Sequence, residues 1–304
     1  MDDGRYGEAL VIASAVVFAT AGLFARLIHL DAWTVVLWRG VVGGALILGC
    51  IAWRHRGTTA AEFRRMGRHG LIAAACSALA TICFINALQR TTVADVTLIH
   101  AAAPFVTAAL GWAWTGRRES RVTLAAAAAA MAGVAVIVGA SVAAGHLAGD
   151  LLALAMTVLV AAMMVVVRGS PERSMLPASC LSAFVSAALA APVAAPFSPS
   201  AADAAWLALF GAQFGLGLLL LTVGTRRIAA TRAALIGSLE IPLAPVAVWL
   251  AFAELPSWRA ALGGAIVAAA VLGDLLLGRP RGRVSRPAAP AASPAAAAAP
   301  RAAR

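Results

Sequence analysis

Few ionisable residues interrupt the long apolar runs of this 304-residue sequence, and those few are the places where chemistry can happen. Arg39 stands inside one run, directly after Trp38, and Glu240 stands inside another. A charge at membrane depth is costly, so it faces a cavity, a partner or the interior of a bundle. An arginine there can hold a carboxylate through paired hydrogen bonds; it can equally snorkel outward or pair with an acid. A glutamate there can exchange a proton, or simply make a structural hydrogen bond. His100 precedes Pro104 by one turn, and an imidazole ordinarily titrates close to neutral pH. Thr97 shares the face of His100 at the three-residue spacing. Pro104, Pro242 and Pro245 each remove a backbone donor in mid-run, and in lipid the freed carbonyl must find another partner. Thr20, Asn86 and Gln213 complete the polar candidates, with Trp38 as the aromatic one. Asp95 and Asp274 fall near run ends, where solvent is expected to reach them. Gly211 and Gly215 have the four-residue spacing that lets helices approach closely.

Other chemistries are missing. All 24 basic residues are Arg, so there is no lysine for a phosphate-binding loop, a Schiff base or a protein-kinase site. No Gly-x-Ser-x-Gly or His-Glu-x-x-His pattern occurs, and His29, His55, His69, His100 and His146 are scattered. Cys50, Cys76, Cys83 and Cys180 form no Cys-x-x-Cys pair and read as small buried hydrophobes. The expectation is therefore no metal, no cofactor and no enzyme activity. The formal charge of +11 sits in short Arg clusters between apolar runs, a pattern of membrane topology and not of nucleic-acid binding.

The elements that must position these residues are membrane helices. Hydrophobic residues make up 62% of the chain and charged residues 12%, against about 45–50% and about 25% in soluble domains. Ten runs are near the roughly 20 residues needed to span a hydrocarbon core. They lie at 9–28, 32–53, 70–88, 94–115, 122–141, 149–167, 176–196, 204–224, 233–253 and 258–278. The first has no positive excess before it and reads as an uncleaved helix. Alternate loops carry twenty Arg on one side, including Arg5, Arg64, Arg117, Arg168 and Arg226, and three on the other, Arg26, Arg90 and Arg259. By the positive-inside rule both termini are expected in the cytoplasm, with the chain as a multi-pass protein of the cell inner membrane.

The chain also repeats itself. Gly7-Glu8-Ala9-Leu10 matches Gly149-Asp150-Leu151-Leu152 at a shift of 142, and Arg26 falls on Arg168 at the same shift. Leu98-Ile99 matches Leu235-Ile236, and Trp112 matches Trp249, at a shift of 137. Each copy holds five spans, and five is odd, so the second copy enters the membrane from the opposite side. The layout is an all-α membrane protein of two inverted five-helix repeats. It has an N-terminus at 1–8, a first repeat at 9–141, a linker at 142–148, a second repeat at 149–278 and a basic Ala/Pro-rich tail at 279–304. The tail has no apolar stripe to bury and is expected to be disordered. Inverted repeats are characteristic of secondary transporters, whose site lies at the repeat interface near the midplane.

At these residues the chain resembles the drug/metabolite transporter (DMT) superfamily, specifically its EamA-type ten-helix members. The likeness covers about residues 8–278. It is carried by Ala101-Ala102-Ala103-Pro104-Phe105-Val106, by Leu239-Glu240-Ile241-Pro242-Leu243-Ala244-Pro245-Val246 and by Trp38-Arg39. The family pattern ends each proline segment in Gly-Glu; the second copy keeps the acid as Ala253-Glu254, and the first departs from it with Gly116-Arg117. The resemblance implies export or exchange of small metabolites, amino-acid-like or drug-like. The expectation is a secondary transporter working by alternating access, with its site between the fourth and ninth spans. Proton coupling is one option, and the protein would act as a monomer or homodimer in the bilayer. A channel or a non-transporting scaffold is the alternative, and an intramembrane enzyme a more distant one.

Overall fold

The chain was analysed as a computed structural model. It describes residues 3–55, 57–115, 145–168, 176–225 and 239–253, with isolated residues at 125–136, 227, 237 and 258–269. Among the described residues all regular structure is helical. The helices are α1 (Asp3–Ala19), α2 (Ala21–Leu27), α3 (Ala32–Arg54), α4 (Thr59–Leu88), α5 (Val93–His100) and α6 (Ala103–Thr115). After a gap in the description come α7 (Leu147–Arg168), α8 (Leu176–Ala190), α9 (Ala201–Thr225) and α10 (Glu240–Phe252). Among the described residues six stretches are long and apolar enough to cross a membrane: Gly4–Leu27, Ala32–Arg54, Thr59–Leu88, Val93–Ala113, Leu147–Val166 and Ala201–Gly224.

Local sequence sets the helix ends. Asp31 caps α3, its carboxylate accepting from the Thr34 N–H at 2.9 Å. Ser200 and Asp203 form a reciprocal cap at the start of α9: the Ser200 hydroxyl accepts from the Asp203 N–H, and the Asp203 carboxylate accepts from the Ser200 N–H, both at 3.2 Å. Positive φ at Gly57, 81°, and at Gly67, 58°, turns the chain where a side chain would be strained.

Several expected boundaries move. The first span begins at Asp3 and is broken at Thr20. The third extends back to Thr59, but Gly67 divides its first turns from the part expected at 70–88. The seventh was expected to reach 196 but ends at Ala190, because Pro192 and Pro196 cannot continue a helix. Its last residues instead form a loop that folds over α3, where the Ala195 N–H donates to the Thr34 hydroxyl at 2.9 Å. The spans expected at 122–141 and 258–278 and the tail at 279–304 lie largely or wholly outside the described residues.

Packing centres on α3. It lies against α8 and α9, and α8 in turn lies against α4. The other main pairings are α4 with α7, α1 with α9, α5 and α6 with α7, α10 with α5, and α10 with α1 and α2. The α3 contacts are made through glycines. A Cβ built on Gly40 would meet the Ala183 carbonyl at 2.5 Å, and one on Gly43 would meet Phe214 at 2.8 Å and the Gly211 carbonyl at 3.0 Å. Gly215 abuts the Gly43 carbonyl at 3.0 Å in the same sense, so Gly211 and Gly215 do serve close packing. Cys180 of α8 is buried and donates to the Gly44 carbonyl at 3.6 Å.

Gly40→Val is expected to lower thermal stability in detergent by about 1–3 kcal/mol, the usual cost of overpacking. Gly49, which has nothing within 4 Å of an added Cβ, serves as the control: Gly49→Ala should be neutral or stabilising. Equal melting temperatures for the two variants would show that the α3–α8 contact is looser than described.

Candidate functional site

The break in the first span positions the site. Between α1 and α2 the Val17 carbonyl collects three donors: the Thr20 N–H at 3.2 Å, the Thr20 hydroxyl at 2.7 Å and Gln213 Nε2 at 2.6 Å. Thr20 therefore works locally, replacing hydrogen bonding lost at the break. Gln213 is anchored from α9 across to α1. The Val17 carbonyl fixes which end of the Gln213 amide faces it, so the amide oxygen points elsewhere. That oxygen is buried and has no hydrogen-bond partner among the described residues.

One helical turn around on α9 lie Phe210 and Phe214, and above them sits Arg39. Its guanidinium carbon is 3.8 Å from the centre of the Phe214 ring, 4.9 Å from Phe210 and 5.8 Å from Phe84 of α4. Phe24 of α2 stacks on Phe210 at 5.2 Å, and Trp206 meets Phe24 edge-on at 6.3 Å. Arg39 is 3% exposed. Neither role expected from its sequence position, outward snorkelling or pairing with an acid, describes it among the described residues. Its charge rests on aromatic faces, and its Nε and Nη1 have no hydrogen-bond partner there.

Other candidates go to separate places. Trp38 points toward the 191–200 loop, its indole N–H donating to the Pro196 carbonyl at 3.3 Å. Asn86 is buried and donates to the Ile82 carbonyl of its own helix at 3.0 Å. Thr97 donates back to Val93 and Ala94, at 2.9 and 3.0 Å. His100 ends α5, and its buried Nδ1 has no described partner. The fourth span is interrupted at Ala101-Ala102, just before Pro104, which as a proline has no N–H to donate to the carbonyl four residues earlier. Pro242 and Pro245 lie within the continuous helix α10, Pro242 in its first turn where a missing N–H costs least. Glu240 is the first residue of α10 and is half-buried.

Asp95 corrects an expectation. It is buried, 6% exposed, and not solvated. The turn before α5 folds under the start of α7, where a Cβ on Gly149 would meet Arg90 and Thr91 at 2.7–2.8 Å. There the Thr91 hydroxyl donates to the Asp95 carboxylate at 3.3 Å, and Thr92 caps α5 by accepting from the Asp95 N–H at 3.0 Å. Asp150 of α7 is fully buried beside the same turn. Asp274 lies outside the described residues. Sequence reading passed over Asp150 as a repeat marker; the Thr-x-x-Asp cap was the available signal for Asp95. Among the described residues no group of three potential metal ligands occurs.

Comparison with known proteins gives these contacts a setting. Residues 5–139 match the model of the EamA-like transporter family. That family lies within the DMT superfamily, and its members are multi-pass membrane transporters of small molecules. A protein of known crystal structure superposes with a TM-score of 0.64 at 20% identity, over 90% of this chain and 98% of its own. At that identity the likeness concerns the fold, and it extends well beyond the part the family model matches. No curated protein matches the chain.

A buried guanidinium without a carboxylate partner should not strengthen the fold. Arg39→Met keeps the length of the side chain and removes the charge, and its melting temperature in detergent should equal or exceed that of the parent. A fall as large as that of Gly40→Val would make Arg39 part of the scaffold.

Proposed function

We propose that the chain is a secondary transporter of the cell inner membrane that exports or exchanges small metabolites by alternating access. In this reading it has ten spans in two inverted five-helix repeats, with both termini in the cytoplasm. Its central site is bounded by the fourth and ninth spans and reached by groups of the first, second and eighth.

The observation that carries the reading is the pattern of helix pairing. Exchanging each span with the one five further along turns α1–α9 into α7–α4, and α3–α9 into α8–α4. The same exchange turns the contacts of α5 and α6 with α7 into those of α10 with α1 and α2. The pairs α3–α8 and α5–α10 map onto themselves. Equivalent glycines behave alike: Gly149 packs on the backbone at the end of the third span, and a Cβ on Gly224 at the end of the eighth would meet the Gly7 carbonyl at 2.9 Å. A duplicated, inverted unit accounts for all of these at once. The interruptions at Thr20 and before Pro104 fit a site built where helices are discontinuous.

A comparison of metabolites inside and outside cells with and without the protein would nominate a cargo. Purified protein in sealed vesicles is then expected to move that compound and to show counterflow, trans accumulation driven by an opposing gradient of unlabelled cargo. Single-channel currents in place of counterflow would remove the carrier reading. Glu240→Gln is expected to slow flux and flatten its dependence on pH; an unchanged pH profile would show that Glu240 carries no coupled proton.

A further inference from the structure

We propose that Arg39 and Gln213 form the recognition site for an aromatic organic monoanion, a carboxylate on a ring body that also bears one neutral O–H or N–H donor. This rests on the transporter reading and names the class of cargo its central site takes.

The charge argument comes first. Arg39 is buried, and helix α3 is covered by α8, α9 and α4. Helix α8 has no charged residue, and the carboxylates on the other two are engaged locally. Asp203 accepts from the Ser200 hydroxyl at 2.7 Å, and Glu62 pairs with Arg65 at 3.0 Å beyond the Gly67 turn. Among the described residues, then, no acid neutralises Arg39. A cargo bringing one negative charge completes the ion pair. A cation would meet like charge, and the ammonium of a zwitterion would find no free acid on the helices that cover Arg39.

Geometry selects the form of the anion. The rings lie against the guanidinium carbon, and two of its nitrogens are buried without a hydrogen-bond partner among the described residues. Nε belongs to one carboxylate-binding edge and Nη1 to the other, and both lack partners among the described residues. Either edge can therefore take a carboxylate by a charge-assisted hydrogen bond. Phe84, Phe210 and Phe214 surround the guanidinium, and Phe24 extends the aromatic surface along α2. That lining suits a ring.

Gln213 supplies the second recognition element. It is 9% exposed, stands next to Phe214 in sequence, and lies within one turn of Phe210. Its amide is held at one end by Val17, and its oxygen is left to accept a hydrogen bond. A neutral hydroxyl or ring N–H on the cargo meets that acceptor without adding charge.

Four probes share one ring and differ in charge or donor: 4-hydroxyphenylacetate, phenylacetate, tyrosine and tyramine. Binding to the full-length protein in nanodiscs is measured by calorimetry at neutral pH, and flux in sealed vesicles. 4-Hydroxyphenylacetate should bind best, phenylacetate more weakly, and tyrosine and tyramine weakest. Arg39→Met should weaken 4-hydroxyphenylacetate about tenfold or more, the scale of one charge-assisted hydrogen bond. Arg39→Lys should retain part of that affinity. Gln213→Leu should narrow the gap between the hydroxylated and plain acids.

Stronger binding of tyramine or tyrosine than of the acids overturns the proposal. So does acid binding that Arg39→Met leaves intact, or no binding of any probe at millimolar concentration; in those cases Arg39 is held by rings and water alone. Arg39-dependent binding of the acid without flux would uphold this site and count against the transporter reading. Flux of tyrosine or tyramine with the acids excluded would do the reverse.

Discussion

The close approach of α3 to α8 and α9 is the contact on which the other arrangements depend. In a bilayer, lipid tails are as apolar as leucine, so helices associate through close packing and not through removal from water. Gly40 and Gly43 bring the α3 backbone against the Ala183 carbonyl on one side and the Gly211 carbonyl on the other. The residue before this glycine face is Arg39. Its side chain is thereby committed to the interior, where Phe210 and Phe214 of α9 receive it. With α9 fixed against α3, Gln213 on the same helix reaches the broken first span at Val17. The positions of the amide and of the guanidinium both follow from one glycine-lined seam.

Part of this scaffold was legible in the sequence, because hydropathy reports where an apolar span lies and how long it is. The expected second span, 32–53, is α3 almost to the residue, and the sixth, 149–167, is α7. Hydropathy does not report how a helix ends or bends. Gly67 sits in a polar stretch that carries no apolar signal, so its kink was invisible. The prolines at 192 and 196 marked the true end of α8, but the apolar residues around them argued for continuing. Asp95 looked solvated because its distance along the chain from the run end was short. Its burial depends on the start of α7, more than fifty residues away in sequence.

Individual site residues were legible as types and not as neighbours. Arg39 and Gln213 were both recognisable as polar groups in apolar surroundings. Nothing in one sequence says that Phe84, Phe210 and Phe214 converge on Arg39 from two helices. Trp38 and Arg39 are adjacent in sequence and point to different surroundings, since successive helix residues lie about 100° apart. Trp38 meets the 191–200 loop and Arg39 meets the aromatic cluster.

The proposed repeat makes the position of the charge informative. On either shift seen between the copies, the counterpart of Arg39 falls within 176–181, Leu176-Pro177-Ala178-Ser179-Cys180-Leu181, which has no ionisable group other than a thiol. The scaffold pairs its helices symmetrically, yet the guanidinium occurs in one copy only. Symmetry of packing suits two alternating states of similar energy, since each half can take up the conformation of the other. A charge placed off that symmetry belongs to recognition, because a purely structural demand would apply to both copies. The same reasoning applies to the surroundings of Arg39. An unpartnered buried charge costs stability, and a fold kept solely for rigidity would replace it with a packed apolar residue. Retaining it beside three aromatic rings, with buried and unpartnered hydrogen-bonding nitrogens, suits the proposed site, whose counter-charge arrives with its cargo.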